Sequence, residues 1–190
     1  MSTPESATAS QTASAPVPPG IWQVDPVHSS VEFQVKHLGI ANVKGQFTDF
    51  DGTLEVLGDS VRAHGTVKVA SVDTHEPQRD AHLRSPDFFD AEQYPEITFS
   101  STAVKPIDEE SVEIEGDFTI HGITRPLKLI ATLEGTETDP QGNLRVGVSA
   151  SAQINRSDHD MKFNMALGSG NVVVGDKVKI LLELSAIKTD

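Results

Sequence analysis

The sequence has no cysteine, which excludes disulfides, thiolate nucleophiles and zinc sites of the finger type. Basic residues are scarce: 15 Lys and Arg face 28 Asp and Glu, for a formal net charge of −13. That field repels nucleic acid and anionic lipid surfaces, so neither is an expected partner. No stretch approaches the roughly 18 consecutive apolar residues of a membrane-spanning helix. The first twenty residues lack a basic start and an apolar run, so they do not read as a secretory signal. They also lack large apolar side chains and carry one charge, Glu5, so residues 1–20 are expected to form a disordered tail. With cysteine absent as well, the expected address is the cytoplasm. Residues 21–190 suffice for one domain with a sizeable core.

What is present is a period of two. Val31, Phe33 and Val35 alternate with Glu32, Gln34 and Lys36, and Val112, Ile114, Gly116, Phe118 and Ile120 alternate with polar neighbours. Similar alternation runs through Val61–Val69, Leu127–Leu133, Leu144–Ile154 and Val178–Leu184. Adding Val43–Val56 and Ile97–Val104 predicts about eight half-buried antiparallel strands. One region breaks the rhythm. His75–Pro95 carries helix punctuation at Pro77, at Ser85-Pro86-Asp87 and at Pro95, which predicts one or two short helices.

Eight one-sided strands with little helix bury their apolar faces either as two packed sheets or as a closed barrel. The inward set includes Gly45, Ala63, Gly65, Gly116, Ala131, Ala150 and Ala152. Small residues on an apolar face either leave volume for a ligand or relieve crowding where strands bend.

Five stretches carry a resemblance: Trp22–Gly52 (WQVDPVHSSVEFQVKHLGIANVKGQFTDFDG), Arg79–Thr102 (RDAHLRSPDFFDAEQYPEITFSST), Gly116–Leu129 (GDFTIHGITRPLKL), Ile154–Asp158 (INRSD) and Val174–Leu184 (VGDKVKILLEL). In order and spacing they resemble the YceI-like family, lipocalin-like barrels that bind polyisoprenoids and related lipids. The resemblance implies an all-β antiparallel barrel of about eight strands with a short helical segment over part of an apolar tunnel. It implies an isoprenoid or fatty-acyl chain inside. An aromatic and a glycine usually follow Arg-x-Asp in that family; here they are His159 and Asp160.

The expected lining is Val31, Phe33, Val35, Phe47, Val67, Phe99, Ile114, Phe118, Leu129, Val148 and Ile180. Candidates for the mouth and a polar head group are His37, Arg79, His82, Arg156, Asp158 and His159. If the strand ending at Ile154 continues, Arg156, Asp158 and Asp160 point inward and His159 outward. Three such residues do not converge on one metal, so no metal is expected. Arg156 and Asp158 read as a pair that either fixes the strand end or meets a head group. His75 with Arg79 and Asp80 with Arg84 read as i,i+4 pairs. Asp25, His28 and Ser29 read as a turn rather than a hydrolytic triad, and His121 as a structural turn residue. No catalytic residue and no cofactor beyond a bound lipid is expected. The leading reading is a non-enzymatic binder, store or carrier of a polyisoprenoid, isoprenoid quinone or fatty-acyl compound, with homodimerisation left open. Its alternative is an enzyme on a lipophilic substrate, with His37 or His159 and a carboxylate as acid and base. A third reading, a filled barrel with a protein-binding outer face, has no ligand.

Overall fold

The computed structural model describes residues 17–190. The strands are β1 (Gly20–Val24), β2 (Ser30–His37), β3 (Ala41–Phe47), β4 (Phe50–Leu57), β5 (Ser60–Lys68), β6 (Val72–Asp73), β7 (Glu96–Pro106), β8 (Ser111–Ile120), β9 (Ile123–Thr138), β10 (Leu144–Asn155) and β11 (Val174–Lys188). One helix, α1 (Pro77–Arg84), follows β6. Every pairing is antiparallel, and β1, β4, β5, β7, β8, β9, β10 and β11 close a ring because β1 pairs with both β4 and β11. The fold is therefore the expected all-β barrel of eight strands, with a ribbon of β2, β3 and β6 continuing from β11.

Ring membership differs from the alternation, since Val31–Val35 falls in β2, outside the ring. Val43–Val56 is two strands: β3 pairs with β2 and β6, whereas β4 pairs with β1 and β5. β1 supplies the missing wall. It is separated from β2 by a 3-10 turn at Pro26–His28, where the Asp25 carboxylate accepts from Val27 N. Asp25 also bonds His28 Nδ1 at 2.7 Å and Arg145 Nη1 at 2.9 Å. The Arg145 guanidinium first, and His28 next, hold its carboxyl down at about 2. Ser29 bonds the backbone of Ser185 on β11, so this corner is the expected turn, a kink pinned to the sheet.

The expected tail, residues 1–20, lies outside the described residues as far as residue 16. Its last four belong to the fold. Val17 is buried with Trp22, Val56, Val146 and Ala186, and the Trp22 indole N–H donates to Pro18 O at 3.1 Å. This cluster fills the barrel end that carries the β4–β5 and β9–β10 hairpins. At the other end α1 begins at Pro77, with the Glu76 carboxylate accepting from the amides of Gln78 and Arg79. The i,i+4 pairs expected along it do not form. Buried Asp80 accepts from the Thr74 amide and hydroxyl, and Arg79 donates to Thr74. No second helix follows either. Ser85 ends α1 by donating its amide to His82 O, and the chain turns through Phe88 and Asp90, whose φ is 49°.

The small inward residues divide into two groups. A methyl at Gly45 would overlap the Phe33 ring, and one at Gly116 would lie 2.6 Å from Ser100 O and 2.5 Å from the Phe99 ring. These glycines relieve crowding. Gly65, by contrast, would meet only Asp51 O, at 3.3 Å. Gly116→Ala is therefore expected to destabilise by about 1–3 kcal/mol through overpacking, and Gly65→Ala by less than about 1 kcal/mol. Urea unfolding midpoints of the two variants check the difference. Equal losses would show that the interior is uniformly filled.

Candidate functional site

The second group of small residues borders a cavity. Ala63, Gly65, Ala131 and Ala150 face a cavity of about 300 Å³ running between the Trp22 cluster and α1. The alternation of each strand sends its apolar side chains there. All eleven residues of the expected lining face this cavity, from Val31 and Phe33 on β2 to Ile180 on β11. Alternation did not reveal the cap: Leu83 of α1, Phe88 and Phe89 of the turns after it, and Met161 beyond β10. Their placement depends on the turn conformation, and only the shortage of other large apolar residues in His75–Pro95 hints at it. Aromatic rings tie cap to wall. Phe89 stands edge-on to Phe47 at 5.7 Å, Phe47 lies 5.6 Å from Phe33, and Phe88 packs on Phe163 at 5.2 Å.

Of the expected mouth residues, only Arg156 faces the cavity. His37 is exposed at the end of β2. Arg79 is occupied with Thr74. His82 bonds Asp87 at 2.8 Å and packs its ring on Phe88 and Phe163, outside the cavity lining.

The corner after β10 departs most from the expectation. The strand stops at Asn155, and Arg156–His159 forms a 3-10 turn. Three residues per turn put Arg156 and His159 on one face, and both are buried while Asp158 and Asp160 are exposed. The strand parity that separated them therefore fails, as does the Arg156–Asp158 pair. Arg156 instead donates to four carbonyls: Nε to Gly175 at 2.8 Å, Nη1 to Met161 and Phe163 at 2.8 and 2.9 Å, and Nη2 to Val174 at 3.1 Å. The guanidinium also lies over the Phe88 ring, 6.0 Å from its centre. Four of its five N–H groups are thereby used. Asp160 keeps the left-handed conformation, φ 59°, that a glycine would favour there, and aspartate tolerates it better than most residues.

His159 is 2% exposed and sits edge-on to Phe118 at 5.6 Å. Its Nδ1 lies 3.1 Å from Ile123 O, while its own carbonyl accepts from His121 Nδ1 at 3.0 Å. Neither His37 nor His159 has a carboxylate partner among the described residues. Nor do those residues contain a cluster of three metal-ligating side chains. Burial, opposed by the Ile123 contact, pulls the His159 imidazole below its ordinary 6.5.

A histidine whose folded pKa is depressed stabilises fully above its unfolded pKa and loses that contribution as pH falls toward the folded value. Stability is thus expected to decline as pH drops below about 6.5. His159→Phe keeps the aromatic contact and flattens this decline; urea midpoints at pH 7 and pH 5 measure it, and an unchanged slope would refute the assignment. Arg156→Lys, with three donors for four carbonyls, is expected to lose about 3 kcal/mol or more, read from the same titrations.

Comparison with known proteins places this geometry among relatives. Residues 22–186 match the YceI-like domain. Protein YceI of Escherichia coli O157:H7 is 39% identical over 148 residues, covering 76% of this chain and 77% of that protein. The crystal structure of a Campylobacter jejuni YCEI protein superposes with a TM-score of 0.69 at 30% identity, over 82% of this chain and 90% of the other. A domain from Saccharophagus degradans, described as polyisoprenoid binding and implicated in plant cell wall breakdown, superposes with a TM-score of 0.70. It is 14% identical and covers 88% of this chain and 98% of its own.

Proposed function

We propose that this chain, which belongs to the YceI-like family, binds a long-chain lipophilic molecule in its barrel and stores or carries it unchanged. The ligand class is a polyisoprenoid, an isoprenoid quinone or a fatty-acyl compound. The observation that carries the reading is the cavity of about 300 Å³ with an almost wholly apolar lining. That volume is within the range of small-molecule sites. An apolar interior gains by exchanging water for hydrocarbon, about 0.8 kcal/mol for each CH₂ removed from water. The Saccharophagus neighbour's description names a polyisoprenoid for a barrel of the same fold. Carriage rather than catalysis is supported by the histidines. His37 points to solvent, and His159 is fixed between Ile123 and Phe118 with burial opposing its protonation.

Native mass spectrometry of protein purified without detergent is expected to show a bound lipid, recovered chemically unchanged after incubation. In a series of acyl probes, affinity should rise about fourfold for each added methylene until the cavity is full. Ala150→Phe, which projects a ring into the cavity, should weaken the longest probe by more than about tenfold with an unchanged circular dichroism spectrum. Flat affinity along the series and no co-purified lipid would overturn the reading.

A further inference from the structure

The net charge of −13 is unevenly spread. Lys68, Lys105, Lys128, Lys162 and Lys188 each pair with a carboxylate. Lys36, Lys44, Lys177 and Lys179 are exposed, and none of them pairs with a carboxylate among the described residues. These four stand together. Phe33 and Val35 of β2 face the cavity, so Gln34 and Lys36 turn outward, and Asn42 and Lys44 of β3 do the same. Gln34 pairs with Lys44 on one side and with Lys179 of β11 on the other, and Lys179 pairs in turn with Gln153. Nearer the strand ends, Lys36 pairs with Asn42 and Lys177 with Asn155. The backbones of Lys44 and Lys179 are thus two strands, or about 10 Å, apart. The residues between them are amides. Asp176, next to Lys177, is engaged with the amide and hydroxyl of Ser157, and Glu32 lies at the next outward position of β2, opposite Gln46.

The same strands run out into exposed apolar tips. The β2–β3 turn holds Ile40, which is 79% exposed. Beside it lies the hairpin Met165–Val173, closed by Leu167 N on Asn171 O and Val173 N on Met165 O. Met165 is 57% exposed and Val172 41%. Leu38 ties the two tips: held at φ 56°, it donates its amide to Val173 O at 3.0 Å. Both tips belong to the α1 end of the barrel, since His37 pairs with Val174, and Arg156 joins Val174 O to Met161 O of the cap. A single exposed apolar residue is ordinary. Three on adjacent tips, bordering a face of unpaired lysines, have the composition of an interfacial surface: apolar groups for the acyl boundary and ammonium groups for lipid phosphates. An acidic protein would need only the lysines.

We propose that this face docks on an anionic lipid bilayer, with Ile40, Met165 and Val172 entering the interface and the four lysines resting on headgroup phosphates. Net charge alone predicts repulsion, but salt limits the reach of each charge to about 8 Å. An approach led by this face meets its lysines before the acids elsewhere. The pose turns the α1 end of the cavity toward the bilayer. Docking needs no ligand in the cavity, so this proposal goes beyond the lipid-binding reading and the two fail separately.

Co-sedimentation of the full chain with vesicles tests it, using phosphatidylcholine alone and phosphatidylcholine with phosphatidylglycerol in equal parts. Binding to the mixed vesicles and not to the neutral ones, weakened by salt, is expected. Lys36→Gln/Lys44→Gln/Lys177→Gln/Lys179→Gln should weaken it by more than about a hundredfold. Lys68→Gln/Lys105→Gln/Lys128→Gln/Lys188→Gln changes the net charge equally and should weaken it by less than about threefold. Ile40→Ser/Met165→Ser, with charge unchanged, should cost about tenfold. Circular dichroism certifies the fold of each variant. No binding to the mixed vesicles, equal losses in the two lysine variants, or an unaffected tip variant overturns the proposal. Capture of polyglutamate in place of vesicles assigns the face to an acidic protein, which also overturns it. Co-purified lipid bears only on the cavity.

Discussion

Closure of the barrel depends on β11. On one side it pairs with β10 from Arg145–Ile187 to Asn155–Lys177; on the other it pairs first with β2 and then with β1. An antiparallel sheet left open exposes a row of unpaired amides and carbonyls and a half-covered apolar face. By accepting β1 at its C-terminal end, β11 removes that edge and turns eight apolar faces toward one interior. The kink at Asp25 exists to let β1 and β2 share this one partner. Asp25, Arg145 and Asp139 form the ion-pair network that holds it, with Arg145 Nε on Asp139 at 2.7 Å, and the guanidinium keeps both carboxyls low.

Once the ring is closed, the interior is decided by how few large side chains are available. The sequence has eight phenylalanines, and Phe33, Phe47, Phe50, Phe88, Phe89, Phe99 and Phe118 all face the cavity. Aliphatic and small residues must supply the rest. Gly45 and Gly116 leave room for the Phe33 and Phe99 rings against neighbouring strands, whereas Ala63, Ala131 and Ala150 cannot reach across the barrel. An eight-stranded barrel is just wide enough for side chains to fill, so a lining this light leaves space. The same lightness places the Trp22 cluster at one end, where the only indole closes the interior.

Alternation revealed the strands and the lining because side-chain direction in a strand is fixed by period two, whatever lies elsewhere in the chain. It failed where direction depends on a turn. Arg156 is inward as parity had it, but His159 is buried beside it and Asp158 and Asp160 are exposed because the chain leaves the strand at Asn155, and the carbonyls that hold Arg156 belong to residues 161–175. Strand parity carries no information about them. β1 escaped for a different reason: five residues beside a Pro-rich segment are too few for a periodic signal. The split of Val43–Val56 into β3 and β4 is equally silent, since alternation continues through a change of partner. Of the one or two short helices expected in this segment one formed, because a serine that can start a helix also ends one, and the preceding helix claimed Ser85.

The 3-10 turn after β10 is tied to the strands on both sides of it. His159 stands edge-on to Phe118 and so packs the turn against β8. What it adds is a polar atom facing Ile123 O, at the start of β9. A phenyl ring could hold the turn against Phe118 but could not bond that carbonyl. Burying an imidazole to satisfy one carbonyl is favourable only while the ring stays neutral. Protonation leaves the Nδ1–H on Ile123 O but puts a charge on the buried ring, so the cost of acid comes from burial and not from loss of that bond, whereas the Arg156 guanidinium does not titrate in that range. Protonation of His159 therefore lowers the stability of the whole barrel rather than releasing the turn from β9.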